Sequence, residues 1–165
     1  MRTPIRKAGK FLQIKQDPLL STEKISELNN ELVRLKNAVP KQAEEVSRLA
    51  DLGDFSENAG YQFAKGKLRG MNQRIFELEK QLNHAEEIKP MKDFSKIMVG
   101  HTVTLLTNDK EIVYKILGSE ESSPHNGVIS HSSPIGYALI GRKVGDIVKV
   151  SLPKGEVEYK ILKIE

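Results

Sequence analysis

The feature that most constrains this chain is a pair of narrow apolar stripes written at helical spacing. Between Ser21 and Ile88 the hydrophobic residues recur at steps of three and four: Ile25, Leu28, Leu32, Leu35, Val39, Ala43, Val46 and Leu49 or Ala50 in one arm, then Phe63, Leu68, Met71, Ile75, Leu78, Leu82 and Ala85 in a second. Glu, Lys, Gln, Asn and Arg fill the positions between. Such a stripe is a seam along one face of a helix, too narrow to bury itself alone. The stretch joining the arms is short, so the two helices must run antiparallel against each other. At 1.5 Å per residue, about 30 residues per arm give a rod roughly 45 Å long. Ser21 or Thr22 is placed to cap the first helix, with Glu23 in its first turn. Pro40 removes one backbone donor inside that helix and should kink it locally. Gly53 is positioned to end it, and Asp54 or Ser56 to cap the second.

After "IKPMKD" (88–93) the period changes from helix to strand: "TVTLL" (102–106), "EIVYKIL" (111–117), "VIS" (128–130), "DIVKVSL" (146–152) and "EVEYKILKI" (156–164), with "TND" and "PKG" as turns. One short helix interrupts them in "SSPIGYALIG", capped by Ser133, with Pro134 at its first position and Gly141 at its end. The fold class is therefore α+β: an N-terminal antiparallel coiled-coil hairpin, then a small antiparallel sheet curled over one short helix. The expected divisions are a basic extension (1–19), the hairpin (20–89) and the C-terminal domain (90–165).

Charge enters because it is unevenly placed. Residues 1–19 hold five basic side chains against the single acid Asp17, whereas 20–90 carry 11 basic against 12 acidic and 91–165 carry 10 against 9. The excess of +4 is thus a basic tail, without the apolar run of a secretory signal, and it reads as a mobile arm that favours polyanions. With no cysteine there is neither a disulfide nor a thiolate metal site, which fits a reducing, cytoplasmic setting. No apolar run approaches the roughly 20 residues that span a bilayer.

The candidate chemistry lies between the arms, in "GDFSENAGY" (53–61). Asp54 and Glu57 stand three apart, the spacing of a capping box at a helix start. The same spacing lets two carboxylates share a hard divalent cation, but two oxygen donors are far fewer than Mg²⁺ requires, so the residues alone favour the cap. Beyond them Lys65, Lys67, Arg69 and Arg74 form a basic group: a solvated helix face, or a set of phosphate contacts. His84, His101, His125 and His131 lack metal-ligand spacing and read as surface residues. No glycine-rich phosphate loop is present. His131 beside Ser132 and Ser133 lacks the oxyanion-hole motif of a serine hydrolase.

"GDFSENAGY" and "ISHSSPIGYALIGRKVGD" (129–146), in this order and at this separation, resemble the Gre-type transcript cleavage factors that act on bacterial RNA polymerase. The likeness extends over residues 20–165. It implies that the C-terminal domain is FKBP-like and docks at the rim of the polymerase secondary channel, while the hairpin delivers its acidic tip to the active centre. It marks Asp54 and Glu57 as ligands of a Mg²⁺ completed by the polymerase, which then cleaves the 3′ end of its own backtracked RNA. The chain is on this view not itself an enzyme, and acts as a monomer with no membrane contact. The resemblance also marks Ser56, Asn58, Lys65, Lys67 and Arg69 as RNA or partner contacts, and Ser133, Pro134, Ile135 and Gly136 as partner contacts. Gly60 departs from the family, which has Glu there. It keeps open a second role, a channel regulator that occupies the site without promoting cleavage. A prolyl isomerase is a further alternative, with only Phe94, Tyr114, Tyr137 and Tyr159 to line a pocket. A coiled-coil adaptor without chemistry would leave both motifs unexplained.

Overall fold

A computed structural model describes residues 17–51, 59–89, 92–153 and 155–165 of the chain. Two long helices form the hairpin: α1 (Thr22–Ala50) and α2 (Ala59–Asn83). Ser21 caps α1, its hydroxyl accepting from the Lys24 amide at 3.2 Å. Helix α1 runs through Pro40 from end to end, so the expected local disturbance does not interrupt it. At 29 residues it is about 43 Å long.

The seam is where the sequence places it near the base and shifts towards the far end. Leu28 and Leu78 are buried against Leu20, with Ile25, Leu32, Leu35, Leu82 and Ala85 packed around them. Beyond Pro40 two expected seam positions are corrected. Ala43 is exposed, and the half-buried Gln42 takes its place, donating from Nε2 to the Ala64 carbonyl across the hairpin at 3.3 Å. Phe63 is 77% exposed, and Ala64 is the buried residue of that turn. Close approach of the helices is compatible with the small Ala64 and would not be with a phenyl ring. Arg74 reaches from α2 to both carboxylate oxygens of Glu31 on α1, at 2.8 and 2.9 Å, and helps fix the register.

The C-terminal domain is a five-stranded sheet in the order β5-β4-β3-β7-β6. Its strands are β3 (Thr102–Thr107), β4 (Lys110–Leu117), β5 (Val128–Ser130), β6 (Ile147–Leu152) and β7 (Gly155–Ile164), with the short helix α3 (Pro134–Leu139) between β5 and β6. Side chains alternate between a buried and a half-buried face along β3 and between a buried and an exposed face along most of β6. The buried face packs Ile97, Val103, Leu105, Ile116, Leu139 and Ile161 into one core. Asn108 and Asp109, both at positive φ, make the two-residue turn that joins β3 to β4. Three of the four strand pairings are antiparallel. The sheet is antiparallel as expected except at its edge, where β5 runs parallel to β4. The chain from Ser119 to Asn126 makes two 3₁₀ turns and crosses back before β5 begins, so β5 enters from the same end as β4.

The two parts meet at a junction built by residues 17–21. Two short parallel strands, β1 (Leu19–Leu20) and β2 (Glu86–Glu87), close the hairpin base. The Glu86 amide donates to the Pro18 carbonyl at 2.6 Å and the Ile88 amide to the Leu20 carbonyl at 2.8 Å. On the other side β1 lies on the C-terminal domain: Gly118 sits directly against the Leu19 carbonyl oxygen, where any side chain would collide. Ser21 donates its amide to Glu121 Oε1 at 2.7 Å and its hydroxyl to the other oxygen. Asp17 Oδ2 accepts from the Ser119 amide and hydroxyl, each at 2.8 Å, and lies 2.8 Å from His131 Nε2. Asp17 and Leu19, which the sequence places in the basic extension, are thus structural residues of this joint.

Burial of the Asp17 carboxyl opposes its ionisation, but the bonds from Ser119, Leu19 and His131 outweigh burial and hold it below its ordinary value of 3.8. A lowered carboxyl contributes stability that is complete above its ordinary value and disappears as pH falls through the lower folded one. We therefore expect the contribution of the Asp17 carboxylate to the junction to be lost only as pH falls below about 4. Asp17→Ala should weaken it at neutral pH by about 1.5–3 kcal/mol, read as faster hydrogen exchange at the Glu86 and Ile88 amides. In the seam, Leu78→Ala should cost about 2–5 kcal/mol, measured by thermal unfolding at 222 nm. Phe63→Ala should stay within about 0.5 kcal/mol of the parent, because the side chain is 77% exposed.

Candidate functional site at the far end of the hairpin

Residues 52–58 connect α1 to α2, so Asp54, Ser56, Glu57 and Asn58 lie outside the described residues. The described structure supplies the frame on either side of them. Helix α2 begins at Ala59 and has no acidic residue in its first turn. Gly60 is exposed there. A glycine so near a helix start lowers its propensity by about 1 kcal/mol relative to Ala, and removes the carboxylate that would otherwise favour the helix dipole.

From Ala59 to Phe76 helix α2 carries Lys65, Lys67, Arg69 and Arg74 and no acid. Arg74 is engaged by Glu31, whose hydrogen bond raises the guanidinium pKa further. Among the described residues Lys65, Lys67 and Arg69 pair with no carboxylate, and all three are exposed. The Lys65 ammonium lies 5.5 Å from the centre of the Tyr61 ring, a contact that orients the side chain without neutralising it. Lys67 borders an open groove between the helices, with Lys41, Gln42, Glu44, Glu45, Arg48 and Met71 among its lining. In that groove Arg48 is bound at 2.9 and 2.7 Å by Glu45, whose carboxyl this bond holds below its usual range. The uncompensated positive charge is therefore concentrated on α2.

In the C-terminal domain the four predicted contact residues divide. The Ser133 hydroxyl accepts from the Gly136 amide at 3.1 Å and donates to the Ser130 carbonyl at 2.7 Å. Gly136 is buried directly against that same carbonyl, which leaves no room for a side chain. Ile135 packs on the core. Pro134 is exposed, and the neighbouring Tyr137 is 80% exposed. Ser133, Ile135 and Gly136 thus shape the turn that presents Pro134 and Tyr137.

The histidines are partly corrected. His101 is buried at 2% exposure, its ring tilted against Phe94 and its Nδ1 accepting from the Met98 amide at 3.3 Å. His131 is held by Asp17 rather than by a serine, and the hydroxyls of Ser119, Ser130 and Ser132 bond to one another at 2.7–2.9 Å. That network ties the junction and contains no nucleophile–base pair. Among the described residues no group of three His, Asp or Glu side chains is placed to hold a metal ion, and no helix is long and apolar enough to cross a membrane. Sequence reading missed the Asp17, Ser21, Ser119 and Glu121 contacts. The one available signal was that Asp17 is the sole acid in a basic segment.

Two family models together span most of the chain. "Transcription elongation factor, N-terminal" matches residues 18–86, and "Transcription elongation factor, GreA/GreB, C-term" matches residues 91–165. The chain is 40% identical to the transcription elongation factor GreA of Nitratiruptor sp., over 83% of this chain and 86% of that protein. It is 41% identical to GreA of Helicobacter pylori, over 81% of this chain and 84% of that protein. A crystal structure of GreA factor homolog 1 of Thermus thermophilus aligns over 88% of this chain and 97% of that one, at 23% identity and a TM-score of 0.40. The chain belongs to the GreA/GreB family of transcription elongation factors.

Proposed function

We propose that this elongation factor acts on bacterial RNA polymerase by passing its hairpin into the secondary channel and stimulating Mg²⁺-dependent cleavage of backtracked RNA. The observation that carries the reading is the hairpin itself. Its two long helices are joined through the Asp54–Glu57 motif, and its base is clamped to a compact domain. A two-helix rod, roughly 20 Å across, is thin enough to enter a narrow channel. The C-terminal domain would dock at the channel rim through the exposed surface around Pro134 and Tyr137.

Asp54 and Glu57 are hard oxygen donors of the type that Mg²⁺ takes, but they provide only part of the roughly six oxygens it needs. They fit a half-site that the polymerase completes. In such a site the ion lowers the pKa of a bound water and balances charge on the scissile phosphate. This chain's residues would hold the carboxylates in place, while Lys65, Lys67 and Arg69 draw the extruded RNA 3′ segment alongside α2. The chemistry stays with the polymerase, and the factor is not itself an enzyme. Gly60 favours the inhibitor reading to the extent that it removes a negative charge beside the motif. Retention of both Asp54 and Glu57 favours cleavage.

Added with Mg²⁺ to stalled, backtracked complexes, the protein should shorten the RNA. Asp54→Ala or Glu57→Ala should lower the cleavage rate by about two orders of magnitude, roughly 3 kcal/mol of lost transition-state stabilisation. Circular dichroism of these variants should match the parent. Slowed elongation without any shortened transcript would select the inhibitor role instead.

A further inference from the structure

Phe63 is the aromatic side chain that the helical pattern assigns to the seam and the fold turns outward. Its ring is 77% exposed while Ala64 beside it is buried. The side chains able to cover it on α2 are those three and four positions away: Ala59, Gly60, Gly66 and Lys67. Two of these have no side chain and one has a single methyl. A Cβ built at Gly66 or at Gly70, one turn further, meets nothing within 4 Å. Gly66 and Gly70 weaken the helix and are required by no contact among the described residues. The absence of side chains at Gly60 and Gly66 leaves the phenyl ring open on its flank. Phe76, also largely exposed at 64%, differs: Asn72, Gln73, Glu79 and Lys80 surround it at the same offsets.

The charge around Phe63 decides what the ring can meet. It lies in the acid-free stretch from Ala59 to Phe76; Lys67, four residues on, shares its face, with Lys65 and Arg69 further round the same helix, and none of the three pairs with a described carboxylate. Bare aromatic faces interleaved with cations are how proteins hold single-stranded nucleic acid, with bases stacked on the rings and phosphates at the cations. Phe63 stands six residues after Glu57 in the sequence. We propose that Phe63 is a stacking platform for one unpaired base of the extruded RNA 3′ segment, holding that segment in line with the acidic tip. This rests on the cleavage role proposed above and adds to it a positioning residue that acts through the base rather than the phosphate.

The test is transcript cleavage on backtracked complexes whose RNA carries all its bases, or an abasic nucleotide at one extruded position at a time. With normal RNA, Phe63→Ala should need about tenfold more factor for half-maximal cleavage and keep its maximal rate, whereas Phe63→Tyr should behave as the parent. On RNA abasic at the stacked position the parent should fall to the Phe63→Ala level. Phe76→Ala should show no base-dependent change. Equal performance of Phe63→Ala and parent on normal RNA overturns the proposal. So does a deficit that persists unchanged on every abasic RNA, which would place the ring against the polymerase instead. A parent that cuts no RNA defeats the cleavage role itself, and the proposal is then decided by a direct reading. The chain has no tryptophan, so a Phe63→Trp variant is a single fluorescent reporter. Its emission should be quenched by a single-stranded oligoribonucleotide at low salt and not by the abasic oligomer. Equal quenching by both, or by neither, overturns it.

Discussion

The structure depends on how residues 17–21 are gripped from two sides. The strand Leu19–Leu20 pairs with the chain leaving α2, and its carbonyl edge rests on Gly118 of the C-terminal domain. Ser21 then does two things at once: its hydroxyl caps α1 and also donates to Glu121. The carboxylate of Glu121 therefore sits at the positive end of the α1 dipole. The direction of the hairpin is set by the domain it grows from. This matters because the arm is long. Over about 43 Å, one degree of rotation at the base displaces the far end by roughly 0.8 Å, comparable to the tolerance of catalytic geometry.

The remainder of the hairpin is spare. Its seam buries Leu28 and Leu78 fully and most other apolar residues only in part, so its stability is modest and its section small. Those two consequences would suit the entry into a narrow channel proposed above. The same economy leaves the flanks of α2 free to carry charge and exposed rings. The acid-free stretch from Ala59 to Phe76 contrasts with the mixed charge of α1, so the two sides of the rod present different chemistry to whatever lies beside them. The C-terminal domain holds a conventional core and spends the Ser133–Gly136 turn on presenting Pro134 and Tyr137 rather than on chemistry.

Much of this was legible in the sequence because it is local. Ser21 and Ser133 were recognisable as caps, and the strands as alternating runs, since each depends on neighbours within a few positions. The errors arose where neighbours were distant. Phe63 and Ala64 are adjacent apolar residues, and periodicity alone does not say which faces the partner; helix spacing at that turn chose Ala64. The replacement of Ala43 by Gln42 has the same origin, with the Ala64 carbonyl selecting the residue that could bond it. The parallel β5 follows from the path of residues 118–127, which have no periodic pattern. The junction joins Asp17 to Ser119 and Ser21 to Glu121, polar pairs about 100 residues apart that leave no signature in spacing. His101 was misplaced because burial of a lone histidine is decided by the Phe94 ring it meets.

The proposed role requires the carboxylates of residues 54 and 57 to act as metal ligands in a partner's site rather than as a helix cap. The most direct measurement is the Mg²⁺ dependence of transcript cleavage with the parent and with Asp54→Asn. Asparagine retains the capping ability of aspartate and loses its charge. A ligand role predicts that Asp54→Asn shifts half-maximal cleavage to higher Mg²⁺ by about tenfold or more, with activity partly recovered as Mg²⁺ is raised. Identical Mg²⁺ curves for the two proteins would contradict it and return the motif to a purely structural role.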